Sequence, residues 1–286
     1  CVKSTTRTPS KALVINVLLW HRLSSIGDCG AISCYIAGMY WSDEGYVLSV
    51  GRHGEAAAIV NLLTREHGRH AGLVRGGAGR RLRGVLQPGN QVAADWRGRL
   101  AEHLGSYTVE AMRDHAAALL ADGDRLAGLT AATAVTEAAL PEREPHLAIH
   151  DGFAALLAAL AGTPIWAAIY VRFELGLLAE LGFGLDLSHC AATGSTEDLA
   201  YVSPRSARAV SREAASPYKE KLLPLPSFLL PEAGEKLVRQ DILDGLKLTG
   251  YFLQSAVFAP HNRPLPMARE RLVERISRTD NSADDI

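Results

Sequence analysis

Cysteine is nearly missing from most of this sequence. Of its four, Cys1, Cys29 and Cys34 fall within the first 38 residues, and only Cys190 follows. A single thiol from Met39 onward excludes an intramolecular disulfide there and points to a reducing, cytoplasmic setting. Long hydrophobic runs are lacking too: none approaches the roughly 20 residues that a membrane-spanning helix needs. With 13 prolines and 26 glycines in 286 residues, the chain is neither collagen-like nor linker-like. Its 48% apolar content and net charge of -1 exclude a disordered polyelectrolyte. Catalytic signatures are absent as well. There is no GxxxxGK[ST], no GxSxG and no HExxH, and the spacing of His53, His67 and His70 matches no zinc or hydrolase pattern. These absences favour binding over catalysis.

What is present divides into stretches of different character. Residues 1–38 carry Lys3, Arg7 and Lys11 ahead of a short apolar run at 13–20, which mimics a secretory signal. His21 and Arg22 follow that run with no clean cleavage site, so the segment is expected to be upstream sequence outside the fold. Residues 39–110 read as five short strands, at about 46–50, 58–64, 69–75, 90–97 and 104–110, with glycine-marked turns between them. Five strands in so few residues predict a small closed barrel of the OB type. After residue 111 the period becomes helical: Phe153, Leu156, Leu157 and Leu160 recur at i, i+3, i+4 and i+7. Tyr170, Phe173, Leu177, Leu178 and Leu181 form a second such stripe. Residues 235–257 predict a long helix and 267–277 a last short one, followed by a frayed polar tail from Thr279. An irregular, proline-marked insert spans about 188–230, with a short helical piece expected around 206–215. The fold class is therefore α+β: an N-terminal barrel followed by a helical domain, 111–286, that carries a small insert.

Charge is unevenly spread along the chain. Residues 51–100 hold Arg52, Arg65, Arg69, Arg75, Arg80, Arg81, Arg83, Arg97 and Arg99 against Glu55, Glu66 and Asp95, with no lysine. That window is about +6, so the remainder is about -7. Guanidinium groups bind phosphate bidentately, and the glycines of the Arg/Gly loop at 76–84 let a main chain approach a nucleic-acid backbone closely. These nine arginines are the candidate contacts. Trp96, between Asp95 and Arg97, is either a stacking face for a base or part of the barrel core. A second basic cluster in the insert (Arg205, Arg208, Arg212, Lys219, Lys221) is opposed by Glu213 and Glu220. The arginines of the last helix, Arg269, Arg271, Arg275 and Arg278, alternate with Glu270 and Glu274 and read as an ordinary exposed face. A competing reading makes the barrel a protein-interaction module whose arginines only confer solubility.

In order along the chain, DEGYVL at 43–48, HGE at 53–55, LTREHGR at 63–69, RGG at 75–77 and LQPGN at 86–90 with Trp96 resemble the RecO family of bacterial recombination mediators. The likeness continues through Tyr170, FEL at 173–175, LAELG at 178–182, KLTGY at 247–251 and PMARERL at 266–272. The resemblance implies an OB-fold followed by a helical domain, and a non-enzymatic protein that binds single- and double-stranded DNA. It further implies annealing of strands coated with single-stranded-DNA-binding protein (SSB) and cooperation with RecR in loading RecA, in the cytoplasm at the nucleoid. No cofactor is implied for this chain. Many family members hold zinc through four cysteines in the insert, the first pair as C-x-x-C-G. Here the text is CAATG at 190–194, and the region of the second pair, near 209–211, has no cysteine. One ligand of four cannot hold structural zinc, so Cys190 is expected to be a small buried residue. The insert would then be held by packing of residues 222–230.

Overall fold

The computed structural model describes residues 38–230 and 237–278. The expected leader, the start of the 235–257 helix and the tail from Thr279 fall outside, or partly outside, the described residues.

Strands β1 (Met39–His53), β2 (Ala57–Thr64) and β3 (Gly68–Val74) run as an antiparallel meander. A short helix, α1 (Arg80–Arg83), precedes β4 (Gln91–Gly98) and β5 (Ser106–Arg113). The ring closes in the order β1-β2-β3-β5-β4, forming a five-stranded barrel. Its seam is the parallel contact of β3 with β5, which holds only two residue pairs, Leu73 with Ser106 and Val74 with Tyr107. β1 is longer than its apolar run at 46–50 suggests, because residues 39–46 pair with β4 all the way back to Met39.

Period-two alternation fills the barrel. Val47, Val60, Leu62, Val92, Ala94 and Trp96 point inward and are buried. Neighbouring Tyr46, Leu48 and Leu63 are buried as well, because they face the other way into the core of the helical domain. This two-sided burial explains why 46–48 and 62–63 are apolar without alternation. His70 is only 3% exposed, with its Nδ1 3.1 Å from the Tyr107 hydroxyl. Burial pushes its pKa down from 6.5 to about 4, with Arg143 adding to the shift; burial also lowers His115. The unfolded chain therefore takes up these protons more readily than the folded one. Stability should be full above about pH 6.5 and should decline as pH falls toward 4. Urea midpoints measured between these values should show that decline. His70→Gln should flatten it, and an unchanged slope in that variant would show that His70 is not its source.

The helical domain packs α3 (Gly123–Ala139), α4 (Leu147–Gly162), α5 (Trp166–Glu180), α7 (Arg239–Phe252) and α8 (Met267–Arg278) around Phe153, Leu156, Leu160, Tyr170 and Leu177. Before them, α2 (His115–Ala118) is a single capped turn, with the Asp114 carboxylate accepting from the Ala117 N–H. Residues 235–257 do not form one uniform α-helix. α7 ends at Phe252 and continues as a π-helical turn, Leu253–Phe258. The last helix also departs from expectation: Arg269 is 3% exposed and buried beside Glu174, not on a solvated face.

In the insert, the helical piece expected at 206–215 is helical only toward its end, its middle being strand. β6 (Leu199–Val202) pairs with β7 (Ala209–Ser211) and with β8 (Leu223–Pro224), leaving helix only at α6 (Arg212–Ala215). Pairing with β6 overrides the helical preference of the alanines and arginines there. Leu223, Leu225 and Phe228 join the main core, as expected for 222–230. Cys190 is buried; the Ser211 N–H lies 3.2 Å from its Sγ, and its thiol reaches the Ser211 hydroxyl. Ser211 and Thr193 surround this sulfur where a structural zinc would need further thiolates or imidazoles, so these residues do not fit such a centre. No described helix is long and apolar enough to cross a membrane.

Candidate nucleic-acid interface

The nine arginines of the 51–100 window separate into two groups. Arg65 and Arg69 flank the β2–β3 turn and reach into the helical domain. Arg65 Nη1 is 2.7 Å from Asp151, and Arg69 Nε donates to the Leu140 carbonyl at 2.8 Å. The turn fits closely there: Gly68 has φ +66°, and a Cβ on it would meet the Glu144 carbonyl at 1.9 Å. These two arginines brace barrel against helices, and their charge is compensated.

The other seven, Arg52, Arg75, Arg80, Arg81, Arg83, Arg97 and Arg99, are exposed. None of them is ion-paired with a described residue. Local sequence explains the display of the central three. In RRLRGVL at 80–86, Leu82, Val85 and Leu86 recur at i, i+3 and i+4 and pack on the barrel core. That anchoring turns Arg80, Arg81 and Arg83 outward. On β4, the inward positions Val92, Ala94 and Trp96 leave Asp95 and Arg97 on the outer face.

Because β3 and β5 pair so briefly, the seam opens beyond Tyr107 into a groove of about 840 Å³. Arg75 and Arg81 stand on one side of it, and Arg97 and Asp95 on the other, with Ser106 and Thr108 of β5 in its lining. The loop read as Arg/Gly at 76–84 is thus a glycine turn that ends in α1 beside this groove. Cationic side chains converging on one concave surface raise the local concentration of a polyanion.

Trp96 is not part of this surface. It is fully buried, its indole Nε1–H donates to the Leu104 carbonyl at 3.1 Å, and Gly98 and Gly105 press against its ring. A Cβ at Gly105, which also has φ +59°, would sit 2.4 Å from the indole. Trp96 therefore offers no face to a base. The parity of Val92, Ala94 and Trp96 already carried that signal. The residue that sequence reading missed is Tyr40, exposed at the start of β1 with the Arg97 guanidinium 5.0 Å from its ring centre. Its register opposite Arg97 is a property of the β1–β4 pairing and is invisible in the linear text.

The three histidines form no common site. His53 is exposed near the β1–β2 turn, His67 lies 3.1 Å from Asp43 while stacked on Trp41, and His70 is buried. Among the described residues no group of three or more His, Cys, Asp or Glu is placed to hold a metal.

Comparison with known proteins agrees with this architecture. Residues 39–113 match the family model described as Recombination protein O N terminal, and residues 120–264 match Recombination protein O C terminal. Among curated proteins, the DNA repair protein RecO of Rhodospirillum rubrum is 55% identical over 243 residues, covering 83% of this chain and 96% of that protein. Those of Phenylobacterium zucineum (53% over 239 residues; 84% and 98%) and Caulobacter vibrioides (52% over 242 residues; 85% and 99%) are similarly related. With barrel and helical domain both matched in order, this chain belongs to the RecO family.

Proposed function

We propose that this protein is a non-catalytic mediator of recombinational DNA repair that binds single- and double-stranded DNA and anneals complementary strands. It acts in the cytoplasm at the nucleoid and, with RecR, helps RecA load onto gaps covered by SSB. The observation that supports this reading best is the set of exposed, unpaired arginines gathered about the groove at the β3–β5 seam. Annealing brings two polyanions together, and a surface that neutralises phosphate lowers their repulsion without any bond being made or broken. The family's named relatives, called DNA repair proteins, point the same way.

A salt titration tests it. If about four to six phosphates are contacted, log affinity for single-stranded DNA should fall against log salt with a slope of about -3 to -4. An annealing assay with and without RecR should show acceleration by the protein. A barrel that served only as a protein-docking module would show no binding at low salt, and that result would overturn the proposal.

A further inference from the structure

We infer that Tyr40 is the base-stacking residue of this interface and the one that makes it favour single strands over duplex; this rests on the DNA-binding reading above. Tyr40 lies on the outward face of β1, directly opposite Arg97 of β4. More than half of it, 54%, is exposed, an unusual state for a large aromatic on a strand of a well-packed barrel. Its hydroxyl donates to Asp95 Oδ1 at 3.0 Å and lies 2.7 Å from the Ser42 hydroxyl, which holds the ring in one orientation. Ser42 donates to the same Asp95 oxygen. Asp95 and Arg97 both line the groove, and Tyr40, outside that lining, touches both of them, while Arg75 and Arg81 line it as well.

This arrangement supplies what the arginines lack. Guanidinium groups read phosphate, which single strands and duplexes share, so charge alone does not discriminate between them. An exposed aromatic face stacks on a base, and only an unpaired strand offers one freely. The Arg97 guanidinium rests over the Tyr40 ring at 5.0 Å, an exposed cation–π contact weak enough to be exchanged. When a strand enters, Arg97 turns to a phosphate and the base takes its place on the ring. Asp95 brings a negative charge to a polyanion site, but its carboxylate is occupied in tethering Tyr40 and Ser42.

The test crosses two changes: the bases present or absent, and the ring present or absent. Binding of the full chain to oligo-dT, to an abasic oligonucleotide of equal length and charge, and to duplex DNA is followed by fluorescence anisotropy across salt. The wild type should prefer oligo-dT to the abasic strand about tenfold. Tyr40→Ala should abolish that preference, leave duplex affinity unchanged and shift the salt plot without altering its slope. Tyr40→Phe, which keeps the ring, should retain most of the preference. Equal loss of single-strand and duplex binding in Tyr40→Ala, or a preference that survives it, would overturn the inference while leaving the DNA-binding reading intact. Absence of salt-dependent binding by the wild type would overturn that reading itself.

Discussion

Replacing Arg269 by alanine should destabilise the protein by about 3–5 kcal/mol, a large share of the ~5–15 kcal/mol that holds a typical domain. Arg269 donates to both oxygens of Glu174, from Nε at 2.7 Å and Nη2 at 2.9 Å. Neither side chain sees solvent to any extent: Arg269 is 4% and Glu174 0% exposed. Thr249 and Tyr170 also donate to the carboxylate, at 2.5 and 2.8 Å, and Arg269 reaches the Leu246 carbonyl. Burial by itself would lower the pKa of Arg269, yet the adjacent Glu174 holds it above its ordinary value. Gly250 makes room for the pair, since a Cβ there would lie 2.7 Å from Arg269 Nη1. Truncating Arg269 leaves the buried Glu174 carboxyl without its cation and with only two hydroxyl partners. Replacing both partners by apolar residues of similar volume, as in Glu174→Leu with Arg269→Met, should be neutral or stabilising instead. Urea unfolding of the single and double variants measures both. A single variant within about 1 kcal/mol of wild type would show that the pair does not hold α8 to α5 and α7.

That pair also marks how far the linear sequence reaches. Arg269, Leu272 and Ile276 fall at i, i+3 and i+7, so the helical period alone puts Arg269 on the apolar stripe of α8. Its partner is 95 residues away, and nothing local announces it. The same division runs through the barrel. Alternation and glycine turns outlined the five strands, but the start of β1 stayed hidden because Ser42, Asp43 and Glu44 are polar. Those residues are satisfied across the sheet and the adjoining turn: Ser42 by Asp95, and Asp43 by the Glu66 N–H and His67. The surplus of arginine between residues 51 and 100 was plain from composition. Its division into two bracing arginines and seven displayed ones was not, because Asp151 of α4, and Glu142 and the Leu140 carbonyl of the α3–α4 connection, are distant in sequence. The irregular insert hides its small sheet because the alanines and arginines at 206–215 favour helix locally, whereas the pairing of β6 with both β7 and β8 is a long-range property.

The division among the arginines sets up a second large effect. Changing Arg75, Arg81 and Arg97 together to alanine should weaken single-stranded DNA binding about a hundredfold at 0.1 M salt and flatten the salt slope by about 2. The magnitude follows from counterion release. Each phosphate contact on a single strand contributes about 0.7 to the slope, so three contribute about 2. Referred to 1 M salt, where that contribution vanishes, a tenfold lower salt concentration converts a slope change of 2 into a factor of about 100. These three line the groove, are exposed, and have no ion-pair partners among the described residues, so their removal should leave the unfolding midpoint nearly unchanged. Arg65→Ala with Arg69→Ala makes the opposite test. Those side chains are committed to Asp151, Glu142 and the Leu140 carbonyl. Their loss should lower stability and leave the slope as it was. Affinity and slope measured for both variants therefore distinguish a localised groove from a diffuse basic barrel. If the two pairs of measurements change alike, net charge alone attracts the strand; if only the groove variant flattens, the seam left open by β3 and β5 is where the phosphates lie.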